Sequence, residues 1–296
     1  MVKWYHRAGD ITAATQVYSG LNLDTRNNTV SPITVPPGYG HLKYITSNIG
    51  IDAAITADAG NLFVLKLSGD AMTDGDQEIL IGCLSTSETG TSVTDLLMAK
   101  PAFVLPTNIY VEPGQKLDLS ALYMGTDTGS QIVTASLGFA PGRGGSPIQY
   151  RTRGDSHTAA TDVYEALETK PDTNAGTGGY EAPGGSQMIN RLITGAVLNA
   201  DADTTIAIQT WSAEISGDAV GNNAQEIAVQ SLGADEGGGT VTATHNIIFN
   251  PAIVPAEVPL NQGLPFSISM AYKGTDLGTP FVACTAEIVC RPRSVR

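Results

Sequence analysis

The sequence predicts an all-β protein made of two tandem eight-stranded antiparallel jelly-roll β-sandwiches that arose by internal duplication. Three observations support this fold class: a motif that occurs twice, apolar residues that alternate with polar ones, and a composition rich in turn-forming residues. The chain of 296 residues contains 33 glycines and 16 prolines, and 15% of its residues are charged. This composition is typical of many short strands joined by turns.

The duplication is clearest in one spaced motif. Ser68–Ala71 (Ser-Gly-Asp-Ala) is followed after five residues by Gln77–Ile79 (Gln-Glu-Ile), and the same residues recur 148 positions later at Ser216–Ala219 and Gln225–Ile227. Three further pairs of segments match at offsets of 146 to 149: Thr12–Tyr18 with Thr158–Tyr164, Ile45–Thr46 with Ile193–Thr194, and Tyr123–Asp127 with Tyr272–Asp276. One ancestral domain of about 150 residues, a common domain size, is therefore repeated.

The boundary between the two copies falls in a glycine- and proline-rich stretch, Pro141–Pro147. Clusters of these residues mark loops and linkers. We therefore predict a first jelly-roll domain at residues 1–145 and a second at residues 146–296. Because the linker is short, we expect the domains to lie side by side.

Period-two alternation, which is typical of half-buried strands, predicts eight strands in each half. Those of the first half are Val2–Ala8, Thr15–Ser19, His41–Ile51, Asn61–Leu67, Glu78–Ser85, Thr91–Phe103, Lys116–Met124 and Gln131–Phe139. Those of the second half are Ile148–Arg153, Thr161–Leu167, Ile189–Asn199, Thr204–Ile215, Gln225–Leu232, Thr240–Phe249, Pro265–Tyr272 and Phe281–Val289. Eight antiparallel strands wound from two Greek keys form a jelly roll.

The chain is acidic, with a formal net charge of −13. Such a surface repels polyanions, so nucleic-acid binding by the folded domains is not expected. Three basic residues lie near each end of the chain: Lys3, His6 and Arg7 at the start, and Arg291, Arg293 and Arg296 at the finish. They either keep the ends soluble or face phosphate groups.

The first residues predict no secretion signal, because they lack a basic region followed by an apolar one. No apolar run approaches the roughly 18 residues that a membrane-spanning helix needs. The three cysteines, Cys83, Cys284 and Cys290, are odd in number. We predict that they are reduced and buried, and that the chain is made inside a cell.

Motifs of catalysis are missing from the sequence. The four histidines, His6, His41, His157 and His245, are scattered, with no His-x-x-x-His or Cys-x-x-Cys companion. There is no Gly-x-Ser-x-Gly elbow, no Walker loop and no dinucleotide fingerprint. We therefore expect no enzymatic activity, no cofactor and no small-molecule substrate.

One acidic stretch is a candidate metal site. Asp70, Asp74, Asp76 and Glu78 are spaced around a glycine turn and could present oxygens to Ca²⁺, which takes about six to eight of them. The second copy of the motif keeps only Asp218 and Glu226. An ordinary solvated acidic turn is the alternative interpretation, and we favour it.

The tandem eight-strand duplication, without a secretion signal or catalytic motif, resembles the double jelly-roll major capsid proteins of tailless icosahedral viruses. Many of these viruses enclose an internal membrane. The resemblance implies a homotrimer with a pseudo-hexagonal outline that tiles a closed shell. It also implies location in the virion after synthesis in the host cytoplasm, contacts with minor capsid or penton proteins, and chain ends that face the membrane or the genome.

The alternative is a carbohydrate-binding tandem β-sandwich: a lectin, an adhesin or a viral attachment protein. Two or three aromatic rings on one surface are enough for a sugar-stacking platform. The aromatic residues here are scattered through the predicted strands, which favours core and interface packing: Trp4, Tyr5, Tyr18, Tyr44, Phe63, Trp211 and Tyr272.

Overall fold

A computed structural model describes residues 1–11, 16–24, 29–51, 59–87, 101–125, 131–143, 148–158, 160–197, 207–221, 224–234, 245–274 and 280–290. These residues form 22 β-strands and one short 3₁₀ helix, Thr173–Ala175. Among them, no helix is long and apolar enough to cross a membrane. The protein is all-β, as predicted.

The strands are numbered in chain order. In the first half they are β1 (Lys3–Ile11), β2 (Ser19–Gly20), β3 (Leu23–Asp24), β4 (Thr29–Val30), β5 (Ile33–Thr34), β6 (Tyr39–Ile51), β7 (Ala59–Ser68), β8 (Gln77–Ser87), β9 (Phe103–Tyr110), β10 (Lys116–Gly125), β11 (Gln131–Ala140) and β12 (Gly142–Arg143). In the second half they are β13 (Ile148–Ser156), β14 (Glu165–Ala166), β15 (Tyr180–Glu181), β16 (Ser186–Val197), β17 (Ala207–Ser216), β18 (Gln225–Ala234), β19 (His245–Phe249), β20 (Ala252–Pro259), β21 (Pro265–Gly274) and β22 (Phe281–Cys290).

The order of strands in two sheets defines the first half as a jelly roll. The main strands of sheet 1 run β1-β11-β6-β9, with the short strands β3 and β4 added beside β1 and β12 beside β6. Those of sheet 2 run β2-β10-β7-β8, with β5 also paired to β10 and β19 to β8. With β2 and β5 counted as one interrupted strand, sheet 1 contains the first, eighth, third and sixth strands of the half. Sheet 2 contains the second, seventh, fourth and fifth. This is the strand order of two interlocked Greek keys.

The second half repeats the same order. Sheet 3 runs β13-β22-β16-β20, and sheet 4 runs β14-β21-β17-β18, with β15 also paired to β21. Sheet 3 is therefore the equivalent of sheet 1, and sheet 4 the equivalent of sheet 2. The prediction of two tandem antiparallel jelly rolls is confirmed by this topology.

The repeated Ser-Gly-Asp-Ala motif forms the same turn in both halves. Gly69 and Gly217 have φ angles of 100° and 108°, a region that side chains other than glycine rarely adopt. The amide of Ala71 donates to the carbonyl of Lys116, the first residue of β10 (2.9 Å). In the same way, the amide of Ala219 donates to the carbonyl of Pro265, the first residue of β21 (3.0 Å). The motif thus fixes where the fourth strand of each roll ends.

Burial distinguishes the strands by their place in the fold. Along β9, residues at every second position are buried, from Phe103 to Ile109, and Val104 between them is 51% exposed. Along β22, nine of the ten residues are buried. A strand with both faces buried has a packed layer on each side.

The sixth strand of each roll lies after the range predicted for it. The predicted strand Thr91–Phe103 lies almost wholly outside the described residues, and the sixth strand of the first roll is β9. In the second roll, the predicted Thr240–Phe249 overlaps β19, but β19 pairs with β8 of the first roll, and the sixth strand is β20. Both true strands contain proline, which reads as a strand break but is tolerated at a sheet edge.

The repeated Tyr-x-Gly motif ends at a glycine that the fold requires. Gly125 has φ 124°, and a Cβ built on it would lie 1.9 Å from the carbonyl oxygen of Gly60. We expect Gly125→Ala to lower the free energy of unfolding by about 2 to 4 kcal/mol, because it adds a backbone clash to an unfavourable φ. Urea denaturation measures the difference.

The matched control is Gly38→Ala. Gly38 also has a positive φ (80°), but no atom lies within 4 Å of the added Cβ. The control should therefore lose only about 1 kcal/mol, from the backbone angle alone. Equal losses in the two variants would contradict the close approach of Gly60 to Gly125.

Candidate assembly surfaces

The two jelly rolls meet through the outer surfaces of sheet 2 and sheet 3. Strands β7 and β8 of the first roll contact β13, β16 and β22 of the second. The hydrophobic core of the first roll continues into six residues of the second: Ile148, Tyr150, Ile193, Val197, Phe281 and Ala283. The chain is therefore layered in the order sheet 1, sheet 2, sheet 3, sheet 4.

The contact between the rolls is closely packed at Gly195 of β16. A Cβ built there would lie 2.8 Å from Cys83 Sγ and 2.9 Å from Leu62 Cδ2. Glycine within a strand often marks a place where another layer approaches closely. The two sheets therefore leave no room for a larger side chain at this point.

Directional hydrogen bonds fix the register between the rolls. Thr285 Oγ1 accepts from the amide of Leu80 (2.9 Å), and Thr152 Oγ1 donates to the carbonyl of Glu78 (2.9 Å). Gln77 Oε1 accepts from the amide of Tyr150 (2.7 Å). Since these bonds join buried groups, sliding one roll along the other would leave polar atoms without partners.

One buried carboxylate organises the rest of the contact. Glu287 of β22, with 1% exposure, accepts from Tyr150 Oη (2.7 Å), Asn190 Nδ2 (2.6 Å) and Arg191 Nε (2.9 Å). Burial lowers the pKa of Arg191, but the hydrogen bond and the attraction to Glu287 outweigh it, so the pKa is raised. Arg191 Nη2 also donates to the carbonyl of Pro106 in the first roll (2.8 Å).

The contact joins two unlike faces. Sheet 2 and sheet 3 are not equivalent, because sheet 3 corresponds to sheet 1. The outer faces of sheets 1 and 4 are therefore the equivalents of the two faces already in contact. No described sheet covers either of them.

The exposed face of sheet 1 carries an aromatic pair. Trp4, Gly138 and Tyr44 lie opposite one another on β1, β11 and β6. The rings of Trp4 and Tyr44 stack with centroids 6.0 Å apart and an interplanar angle of 15°. Trp4 is 47% exposed, and its ring lies against Gly138, where a Cβ would be 3.0 Å from it.

The three paired positions Trp4, Gly138 and Tyr44 have a buried counterpart in sheet 3. Tyr150, Glu287 and Arg191 lie opposite one another on the equivalent strands β13, β22 and β16. A neighbouring pair is repeated as well: His6 Nδ1 and Ser136 Oγ are 2.8 Å apart in sheet 1, and Thr152 and Thr285 Oγ1 atoms are 2.7 Å apart in sheet 3. Sheet 1 therefore exposes the surface that sheet 3 buries.

The exposed face of sheet 4 is more polar than its buried counterpart. The residues 148 positions after Leu62, Val64 and Lys66 of β7 are Thr210, Ser212 and Glu214 of β17. Glu214 lies opposite Glu226, whereas Lys66 lies opposite Glu78. Hydroxyl groups in place of leucine and valine side chains suit a face that contacts water.

The four residues of the calcium hypothesis have separate environments. Asp76 forms an ion pair with Lys66 Nζ (2.9 Å), the carbonyl of Asp74 accepts from Gln149 Nε2 (3.2 Å), and Asp70 is exposed in the turn. Burial raises the pKa of Glu78, against the opposing effect of nearby arginine and lysine side chains. Within the described residues, no group of three or more His, Cys, Asp or Glu side chains could hold a metal ion.

Sequence reasoning missed the Glu287 network. The signal was present, because Glu287 is the one charged residue of the apolar strand Phe281–Cys290. A lone carboxylate in such a strand needs buried partners. The three cysteines, by contrast, are buried and free, as predicted.

Comparison with protein-family models and with curated proteins found no match. Among solved structures, the major capsid protein P2 of bacteriophage PM2 covers 99% of each chain with a TM-score of 0.39 and 7% identity. The CBM22-1–CBM22-2 tandem domain of Xyn10C from Paenibacillus barcinonensis covers 97% of this chain and 93% of its own (TM-score 0.22, 11% identity). The match to a structure of infectious bursal disease virus, strain Gx, covers 99% of this chain and 73% of the viral chain (TM-score 0.23, 12% identity). Because these similarities are weak, the fold is assigned from the strand order and the register of strand pairing alone.

The ion pair of Arg191 and Glu287 at the contact between the rolls can be tested with a double-mutant cycle. Arg191→Leu leaves the Glu287 carboxylate buried without its cation, so we expect a loss of about 3 kcal/mol in the free energy of unfolding. Glu287→Leu should cost a similar amount. The double variant should lose less than the sum, with a coupling energy of about 1 to 3 kcal/mol in urea denaturation. Additive losses would show that the pair does not act as a unit.

The raised pKa of Glu78 predicts that the stability of the fold depends on pH. Since its pKa is raised in the folded chain, the folded state binds this proton more tightly than the unfolded state does. The stability it contributes is present below its ordinary pKa of 4.5 and is lost as the pH rises through the folded pKa. We expect Glu78→Gln to gain stability relative to wild type between pH 4.5 and pH 7, measured by urea denaturation at each pH.

Glu226→Gln removes the equivalent carboxylate from the exposed face of sheet 4 and serves as the matched control. A gain for Glu226→Gln as large as that for Glu78→Gln would contradict an origin in burial at the domain contact.

Proposed function

We propose that this chain is the subunit of a closed protein shell: a double jelly-roll major capsid protein that trimerises and tiles an icosahedral virion. The observation that carries the proposal is the packing of sheet 2 on sheet 3. One chain already contains one complete contact between unlike faces. It also exposes one further copy of each face.

A contact between unlike faces produces a ring when the rotation closes. In the proposed assembly, sheet 4 of one copy packs on sheet 1 of the next, as sheet 2 packs on sheet 3 within the chain. Three chains supply six jelly rolls, so the ring is three-fold by symmetry and nearly six-fold in outline. Such an outline can fill the hexagonal positions of a shell.

The chemistry of the two exposed faces supports an interface that forms after folding. Tryptophan and tyrosine are enriched among the residues that dominate binding energy, and Trp4 and Tyr44 form such an anchor on sheet 1. The hydroxyl-rich face of sheet 4 keeps a single chain soluble until it meets its partner. Interfaces of this kind have polar rims and trapped water.

The remaining partners of a shell subunit belong to the same proposal. Minor capsid or penton proteins would contact the trimer at special positions of the lattice. A membrane or genome would face exposed basic residues near the chain ends, such as Lys3 at the start of β1. Arg7 is not one of them, because it is buried and forms an ion pair with Asp24 (3.3 Å). Attraction of basic segments to phosphate groups is the physical basis of that orientation.

A second candidate function is carbohydrate binding, and the stacked pair of Trp4 and Tyr44 favours it. Exposed aromatic faces pack against the apolar faces of sugar rings. Lys43 Nζ lies 5.3 Å from the centroid of the Tyr44 ring and could contact a hydroxyl or an acidic sugar. The same residues therefore serve either proposal, and one variant can separate them.

Trp4→Ala tests the proposed function. We expect the variant to fold as wild type does, because the Trp4 ring is half exposed, and to weaken each contact between copies by about 30-fold, the effect of losing an interface anchor. Sedimentation velocity over a range of concentrations measures the association, and circular dichroism checks the fold.

The matched control is Leu264→Ala, which removes another exposed apolar side chain (40%) from the loop before β21. It should associate as wild type does. Unchanged association of Trp4→Ala would contradict a role for sheet 1 in assembly. A wild-type chain that stays monomeric yet loses glycan binding in Trp4→Ala would establish the second candidate instead.

A further inference from the structure

The edge of sheet 2 is closed by a strand from the other half of the chain. β19 lies between β18 and β20 in sequence, but it pairs with β8 of the first roll, in a register that joins His245 to Ser87 and Phe249 to Cys83. An edge strand presents N–H and C=O groups that another strand can pair with. β19 satisfies those of β8 over five residues.

The equivalent edge in the second roll is β18, and it matches β8 closely. Both strands begin with Gln-Glu-Ile. Both carry a bulge against their neighbour, because the register shifts between Phe63 and Val64 of β7 and between Trp211 and Ser212 of β17. The extra residues are Ile81 of β8 and Val229 of β18, which are 148 positions apart. The two edges therefore have the same local backbone geometry.

In the described part of the chain, β18 pairs with β17 alone. Its sequence, Gln225–Ala234, contains no proline and no lysine, the residues that commonly protect an exposed edge from pairing. The charge of Glu226 lies at the start of the strand. The second part of β18, beyond Gln230, is left as an edge without such protection.

We propose that a strand from a second copy of this chain pairs with the edge of β18 over Ser231–Ala234. These residues are 148 positions after Cys83–Thr86, the part of β8 that β19 covers. The inference rests on the proposed function, because the contact of sheet 4 with sheet 1 of the next copy is what brings the second chain to this edge. Main-chain hydrogen bonds across the edge would then lock neighbouring copies together.

The position of β19 explains why a second copy is the occupant. β19 leads directly into β20, the edge strand of sheet 3, and sheet 3 is the layer that packs on sheet 2. A strand next to the edge of the covering sheet is thus well placed to pair with the sheet that is covered. In the proposed ring, the covering sheet over sheet 4 is sheet 1 of the next copy, whose edge strand is β9.

Hydrogen exchange, read by mass spectrometry of peptides that cover residues 231–234, tests the inference. The full-length chain is compared below and above the concentration at which it associates. We expect amide protection over these residues to rise at least about 10-fold on assembly, because outward N–H groups become bonded only there. The amides of Cys83–Ser87 are the internal control and should be protected in both states, since β19 covers them within the chain.

The outcomes separate this inference from the proposed function. Assembly without a change in residues 231–234 overturns the strand pairing and leaves the shell subunit standing. Protection already present in the monomer also overturns it, because the edge would be covered by its own chain. A chain that never associates would contradict both the shell subunit and the strand pairing.

A pair of proline variants gives a second measurement. Neighbouring N–H groups of a strand point to opposite sides, so one of Ser231→Pro and Leu232→Pro removes an outward donor and the other removes a bond to β17. We expect the variant that folds as a monomer to associate at least about 10-fold more weakly than wild type. Normal association of that folded variant would overturn the inference.

Discussion

The structure depends on one contact, the packing of the outer face of sheet 2 on the outer face of sheet 3. It is closed by apolar side chains around Gly195 and held in register by hydrogen bonds to Thr152 and Thr285. It also buries Glu287 with three donors. Because the contact uses two unlike faces, it fixes the relation of the two rolls and at the same time leaves a second pair of the same faces free.

Duplication followed by divergence explains the difference between the buried pair and the exposed pair. The contact inside the chain forms during folding, so its residues can be as apolar as Leu62 and Val64. The equivalent residues on sheet 4, Thr210 and Ser212, belong to a face that contacts water before any partner arrives. A hydroxyl-rich face keeps that state soluble, and the Trp4–Tyr44 pair on sheet 1 supplies a local anchor for the later contact.

Much of the fold could be predicted from the sequence, because the repeat and the alternation within strands can both be read without knowing which sheets meet. The glycines of the repeated motifs marked real turns, at Gly69 and Gly217. The sixth strands could not be placed, because Pro106 and Pro255 look like breaks unless one knows that the strand is at an edge. The pairing of β19 with the other roll was beyond sequence reasoning for a similar reason, since it depends on which sheets meet.

The candidate site was harder to predict than the fold. Asp70, Asp74, Asp76 and Glu78 are neighbours in sequence, but their partners come from elsewhere, such as Lys66 for Asp76. Conversely, Glu287, Arg191 and Tyr150 are far apart in sequence and meet only because three strands of sheet 3 lie side by side. Which face of a sheet is covered is decided by tertiary packing. Trp4 and Tyr150 are equivalent by the repeat offset of 146, but that one is exposed and the other buried becomes visible only after that packing is known.

The most direct measurement of the central claim is the mass and outline of the purified protein in solution, by light scattering coupled to size exclusion and negative-stain imaging of the same peak. If the contact of unlike faces repeats between chains, the peak has three times the subunit mass of 30.8 kDa, and the particles show six lobes in a ring. A monomer at every concentration, or a two-fold dimer with like faces in contact, would contradict the account.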